Sequence, residues 1–261
     1  MEIIILPSPT EVGVTAAAKI AHLVSSNPEA VIGLATGSSP LDIYAELSRR
    51  VRAGELDFSR ARGFALDEYV GLPVEHEQSY AHVIRTEVTE PLGMDPARVR
   101  VPDGLAADLE TATEDYDAAI AAAGGVDLQI LGIGANGHIG FNEPTSSFSS
   151  RTRIKTLAPQ TRADNARFFD SLEEVPTHCV TQGLGTIMEA RELVLVAQGE
   201  KKADAIARAV EGPISSRWPG SILQWHRRAT VIVDEAAASQ LELADYYRYT
   251  YEHKPAWQRW A

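Results

Sequence analysis

Short apolar runs alternate with amphipathic stretches along most of this chain, and that rhythm leaves few architectures open. Residues 3–6 form a β-branched run stopped by Pro7, and residues 10–25 are Ala-rich with helical spacing. The alternation continues with a strand at 31–35, a helix at 41–52, a strand at 63–66, a helix at 79–90, a helix at 108–123 and a strand at 126–131. It ends with a strand at 193–197, a helix at 201–210 and a strand at 229–233. Apolar strands separated by helices predict an α/β fold, Rossmann-like, with a mostly parallel sheet and helices on both faces. Ligands of such folds gather beyond the carboxyl ends of the strands, so the polar residues there are the ones to question.

The chain has 261 residues, 44% of them hydrophobic, enough for one sizeable core. No repeat, linker or charge block marks a boundary, and a single domain over residues 1–261 is expected. The formal charge is −12, from 24 Lys+Arg against 36 Asp+Glu. Such a surface repels nucleic acid, so any anion must be caught locally. One cysteine, Cys179, allows no internal disulfide and no thiolate zinc site, which suits a reducing compartment. The opening MEIIILPSP carries no basic leader and no apolar run reaches membrane-spanning length, so the expectation is a cytoplasmic protein with no membrane or nucleic-acid partner.

Three loops could carry chemistry. In LATGSSP, Thr36, Gly37, Ser38 and Ser39 lie between a strand and a helix, where small residues and hydroxyls cradle phosphate. The same residues read equally well as a helix cap, with Ser39 capping and Pro40 at the first position. In FALDEYVGLP, Asp67 follows a strand and is placed as a general base, with Glu68 beside it; an exposed turn acid is the plain alternative. In DLQILGIGANGHIGFNEP, Gly132, Gly134 and Gly137 match a dinucleotide fingerprint. Gly140 and Pro144 stand where its helix should start, and no acid follows about 20 positions on, which rejects that reading. The loop instead displays Asn136, His138 and Glu143, an imidazole with a carboxylate close enough to orient it. Arg151, Arg153 and Lys155, Arg167, and Lys201 with Lys202 are cations available to a phosphate, though solvated surface charge explains any one of them as well. The remaining histidines lack metal-ligand spacing, so no metal is expected.

LATGSSP, ALDEYVGLP, GIGANGHIGFNEP, SRTRIKTL, ARFFD and QGEKKADAI through AVEGPISS resemble, in that order, the glucosamine-6-phosphate deaminase family over residues 3–234. The resemblance implies conversion of glucosamine 6-phosphate and water to fructose 6-phosphate and ammonia, without a cofactor. It assigns Asp67 as the base at C2, His138 as the ring-opening group, Glu143 as its orienting carboxylate, and Asn136 as the third member where some relatives carry Asp. It assigns the phosphate to Thr36, Gly37, Ser38, Ser39, Arg167 and Lys202, and a mobile lid to residues 159–180. It further implies a homo-oligomer, a hexamer, with an N-acetylglucosamine 6-phosphate activator site at Ser146, Ser147, Arg153 and Lys155. A 6-phosphogluconolactonase, which shares the fold and a related loop, and a non-catalytic sugar-phosphate sensor are the alternatives; the LDEYVGLP and FNEP segments favour the deaminase.

Overall fold

A computed structural model describes residues 1–260. The β-branched and apolar runs form a seven-stranded parallel sheet in the order β1-β10-β9-β6-β2-β3-β5. Its members are β1 (Glu2–Leu6), β2 (Val31–Leu34), β3 (Arg62–Ala65), β5 (Val99–Arg100), β6 (Leu128–Leu131), β9 (Glu192–Ala197) and β10 (Ala229–Asp234). Every pairing in this sheet is parallel. The strands β2, β6 and β10 are buried throughout, as expected where a parallel sheet is covered by helices.

Local signals set the helix limits. Ser8 accepts from the Glu11 amide and starts α1 (Pro9–Ser26), and Asp108 accepts from the Glu110 and Thr111 amides and starts α5 (Leu109–Ala122). Gly124 and Gly125, both with positive φ, carry the chain out of α5. The helix α2 (Leu41–Arg52) packs on α1, and α1 packs on β10 and β9. The helix expected at 79–90 is α3 (Tyr80–Ile84), a π-helical turn Arg85–Thr89 and α4 (Glu90–Leu92) in succession. The π turn is closed in part by Thr89 Oγ1, which donates to the Ile84 carbonyl five residues back. One helix expectation needs correcting: Ser39 does not cap α2, whose cap position is Pro40 with no side-chain bond.

A second sheet was not foreseen. Its antiparallel strands run in the order β4-β8-β7, from β4 (Asp67–Tyr69), β7 (Arg153–Thr156) and β8 (His178–Thr181). Only Leu66 separates β3 from β4, and its amide donates to Leu34 while its carbonyl accepts from Gln182. That corner places Asp67 in a buried strand rather than on an exposed turn. Between β7 and β8 lies α6 (Pro159–Asn165), followed by a short 3-10 turn, Ala166–Phe168. The chain then completes α7 (Leu184–Met188), α8 (Ala203–Val210) and α9 (Ala244–Glu252).

Candidate active site

Four adjacent strands of the main sheet, β9, β6, β2 and β3, deliver the candidate residues at their carboxyl ends. The loop after β2 holds Thr36 to Ser39, the corner after β3 holds Asp67, the loop after β6 holds Asn136, His138 and Glu143, and the turn after β9 holds Lys202. From β2 the chain moves outward to β3 and β5, then crosses back to β6 and β9, so the crevice lies where the winding reverses.

Glycine makes the β6 loop possible. A Cβ on Gly134 would lie 2.2–2.5 Å from Cε1, Nδ1 and Nε2 of His138, so the imidazole rests directly on the glycine backbone. Gly137 has φ +84°, a left-handed turn that an L side chain resists, and its amide closes the turn onto the Gly134 carbonyl at 2.9 Å. The fingerprint glycines thus seat an imidazole instead of a pyrophosphate. His138 Nδ1 is enclosed, makes no hydrogen bond, and stands 3.7 Å from Glu143 Oε2, an ion-pair contact longer than a hydrogen bond.

Glu143 is buried and holds several partners at once. Asn136 Nδ2 donates to Oε2 at 2.7 Å and the Ala158 amide donates to Oε1 at 3.1 Å; the Thr161 hydroxyl lies near the carboxylate. Burial opposes the charge, but His138, Thr161 and Ala158 outweigh it and hold the carboxyl at about 2. The asparagine at 136 therefore acts as a donor to Glu143, which an ionised aspartate could not do. Its Oδ1 accepts from the His138 amide at 3.2 Å.

Asp67 faces this loop from the other side. Its Oδ2 is 3.5 Å from the position a Cβ on Gly140 would occupy, and the Phe141 amide, which donates to Thr181 Oγ1 at 3.0 Å, lies near enough to favour its charge. Burial first, and the neighbouring Glu68 second, push the Asp67 carboxyl up to about 8 against that amide. Glu68 turns away and accepts from the amides of Tyr69, Tyr80 and Ala81 at 2.8, 2.9 and 2.8 Å, which ties β4 to the start of α3. Burial still raises it, because the three donors offset only part of the desolvation.

Three of the six phosphate candidates share a cavity, whereas Thr36, Ser39 and Lys202 do not line it, nor do Asp67, His138 and Glu143. Gly37, Ser38 and Arg167 line one cavity of about 380 Å³, together with Tyr69, Tyr80 and Asn165. Lys202 Nζ donates to the Ile133 carbonyl at 2.7 Å; burial lowers its pKa, with Arg167 adding to the effect and Asp164 opposing it. Neither Arg167 nor Lys202 forms an ion pair among the described residues, which leaves both available to an anion, although Glu77 and Glu87 also line the Arg167 cavity. Ser39 sits against Gly132, 3.6 Å from the Cβ a side chain would place there, so the β2 and β6 loops touch.

The remaining basic residues divide. Arg151 pairs with Asp117 and Glu189 at 3.2 and 2.6 Å, which is a structural use. Arg153 and Lys155 stand on β7, half-buried, and Arg153 makes no ion pair among the described residues. Ser146 is buried with its hydroxyl donating to the Glu143 carbonyl, whereas Ser147 is exposed and contacts Ser149. Among the described residues no group of three or more His, Cys, Asp or Glu is arranged to hold a metal ion. A larger groove of about 1200 Å³ lies elsewhere, between α1 and the C-terminal segment, and contains none of the candidate residues.

Sequence reasoning missed Tyr69, Tyr80, Thr161, Asn165 and Thr181. Each is an ordinary-looking residue whose role depends on a long-range partner: Thr181, for example, pairs across strands with Asp67 and accepts from the Phe141 amide at 3.0 Å. Only Tyr69 left a trace, as the aromatic two positions after the acid in DEY.

Comparison with known proteins agrees with this geometry. The model of the glucosamine-6-phosphate isomerases/6-phosphogluconolactonase family matches residues 9–232. Glucosamine-6-phosphate deaminases of Pseudarthrobacter chlorophenolicus and Mycolicibacterium smegmatis are 60% and 58% identical, with 99% of each chain aligned. A solved monomeric glucosamine-6-phosphate deaminase superposes with a TM-score of 0.90 at 38% identity, covering 92% of this chain and 100% of that one. A 6-phosphogluconolactonase from Trypanosoma cruzi shares the fold at a TM-score of 0.74 and 20% identity, covering 92% of this chain and 97% of its own. The chain belongs to the glucosamine-6-phosphate isomerase/6-phosphogluconolactonase family.

Proposed function

We propose that this chain converts glucosamine 6-phosphate and water to fructose 6-phosphate and ammonia, in the breakdown of amino sugars. The observation that carries the reading is the buried Asp67 carboxyl lying against the loop of His138 and Glu143. A lactone hydrolase needs no base at carbon, whereas this reaction needs one. The high identity to named deaminases supports the same choice over the lactonase.

The steps follow from the residue types. His138, oriented by Glu143 and Asn136, passes a proton between the anomeric hydroxyl and the ring oxygen, and the pyranose opens. Asp67 takes the proton from C2, giving an enolamine, and returns a proton to C1. The resulting imine at C2 adds water, the C–N bond breaks, and ammonia leaves. A carboxyl raised to about 8 is a stronger base once ionised than an ordinary aspartate, and the substrate's ammonium favours that ionised form. Thr36 to Ser39, Arg167 and Lys202 hold the phosphate, supplying binding energy remote from the reacting carbons.

The test is incubation with glucosamine 6-phosphate, following ammonia and fructose 6-phosphate together. Equal release is expected, and Asp67→Asn is expected to bind the sugar phosphate while losing turnover. Acid release from 6-phosphogluconolactone, with neither deaminase product, would assign the lactonase instead; binding without turnover of either would assign a sensor.

The same reading includes a homo-oligomer, a hexamer, in which N-acetylglucosamine 6-phosphate binds near Ser147, Arg153 and Lys155 and activates. Arg153, half-buried and without an ion pair among the described residues, supports it; the buried, bonded Ser146 contributes to the turn rather than to an anion. A monomeric mass, or rate curves unchanged by that ligand, would remove this part. No helix among the described residues is long and apolar enough to cross a membrane, and a cytoplasmic location rests on the lone Cys179.

A further inference from the structure

Two residues that the chemistry above does not use join its two halves. Asn165, the last residue of α6, donates from Nδ2 to the Tyr69 hydroxyl at 2.9 Å. Tyr69 lies two residues after Asp67 on β4, and Asn165 lies two residues before Arg167. One hydrogen bond therefore spans the segment carrying a phosphate ligand and the strand carrying the base. We propose that this Asn165–Tyr69 bond is a latch that fixes the Arg167 segment at the working distance from Asp67, making both residues positioning residues; the role rests on the functional reading above.

The surroundings make the latch specific. Tyr69 is 2% exposed and belongs to a small core, separate from the main one, with Phe141, Leu157 and Cys179. The segment after α6 reaches this core through Phe169, which meets the Tyr69 ring edge-on at 5.8 Å and stacks on His76 at 5.9 Å. Among the described residues the Tyr69 hydroxyl has one other hydrogen-bond partner, the Tyr80 hydroxyl at 3.4 Å, a weak contact. Asn165 thus supplies its principal polar partner.

The opposite end of α6 is also fastened. The Ala158 amide donates to Glu143, the carboxylate beside His138, at 3.1 Å, and the Thr161 hydroxyl lies near the same carboxylate. Seven residues span about 10 Å. A rigid strut of that length thus runs from the ring-opening pair to the strand of the base, with Arg167 just past its end. Cutting the Tyr69 end leaves the Glu143 end in place and frees the Arg167 segment to move. Misplacement by 1 Å costs on the order of a hundredfold in rate when reacting groups must align. Partial freedom of a tethered segment should cost about tenfold.

The experiment uses Tyr69→Phe, which keeps the ring and its packing, Asn165→Ala, and the double variant. Hydrogen exchange of the amides of residues 162–169 reads the latch without reference to activity, and steady-state kinetics with glucosamine 6-phosphate reads its consequence. Exchange should quicken about tenfold in each single variant. The value of kcat/KM should fall about tenfold in each, with the double variant no worse than either, because both remove the same bond. Unchanged exchange, losses that multiply in the double variant, or faster exchange with kcat/KM within twofold of wild type would each overturn the latch. Wild-type protein that turns over no glucosamine 6-phosphate would instead overturn the functional reading, and the positioning role with it, whatever the exchange shows.

Discussion

Replacing Gly134 by alanine tests how the β6 loop holds His138. The new Cβ would lie 2.2, 2.4 and 2.5 Å from three atoms of the imidazole, where about 3.4 Å is the ordinary lower limit of contact. Relief requires a displacement of about 1 Å, and a whole ring rather than a flexible chain end must make it. Gly134 does not occupy the left-handed region, so its backbone accepts alanine and the effect is confined to the ring. Either His138 swings away from Glu143, or the turn closed by the Gly134 amide on the His138 carbonyl at 2.9 Å opens. A misplacement of that size costs about 10²-fold, and loss of acid–base catalysis altogether costs about 10²–10⁴-fold. Measured by ammonia release, kcat should fall at least about a hundredfold while KM changes little, since no phosphate ligand moves. Overpacking should lower stability by about 1–3 kcal/mol, seen as a modest fall in Tm. Gly132→Ala is the internal control, because its Cβ meets Ser39 at an ordinary 3.6 Å and should cost far less. Gly134→Ala activity within threefold of wild type would refute the reasoning.

Three further outcomes follow from the charges. The Asp67 carboxyl is raised in the folded protein, so its contribution to stability is fully present below pH 4 and is lost as pH rises through about 8. Asp67→Asn should therefore gain stability on wild type by up to a few kcal/mol between pH 4 and 8, in parallel denaturant titrations; a constant difference would contradict the shift. Glu68→Gln removes one of the two causes of that shift, so the acid limb of kcat/KM against pH should move below wild type's; a limb that stays or moves up would show that Glu68 does not act on Asp67. Arg167→Ala and Lys202→Ala should each raise KM for the sugar phosphate at least tenfold and weaken inhibition by inorganic phosphate, and unchanged values would remove that residue from the phosphate site.

The main sheet was legible because each of its longer strands is an apolar run bounded by glycine, proline or a polar turn. Two of the loops were legible because they are dense in glycine or hydroxyl residues at strand ends, and the third because a pair of carboxylates, Asp67 and Glu68, follows a strand. The second sheet was not: β4 is three residues long, and β7 buries none of its four residues fully and exposes its one apolar residue, Ile154, so neither stands out until paired with β8 across long sequence separations. For the same reason Asp67, taken alone in the sequence, reads as a turn acid before it reads as a base, and its burial emerges only with the β3–β4 corner. The fingerprint glycines carried a misleading signal, since a close backbone approach is the same requirement whether the neighbour is a phosphate or the His138 ring. Asn136 looked like a loss of charge; in the fold it is the donor that Glu143 accepts from.

The central claim is that Asp67, shielded at 5% exposure, carries the C2 proton to C1. The most direct measurement is turnover of glucosamine 6-phosphate deuterated at C2, with the fructose 6-phosphate analysed by mass spectrometry. Equal amounts of ammonia and fructose 6-phosphate are expected, with part of the deuterium at C1, and no labelled product from Asp67→Asn. Product bearing no deuterium at C1 from wild type, or labelled product from Asp67→Asn, would contradict it.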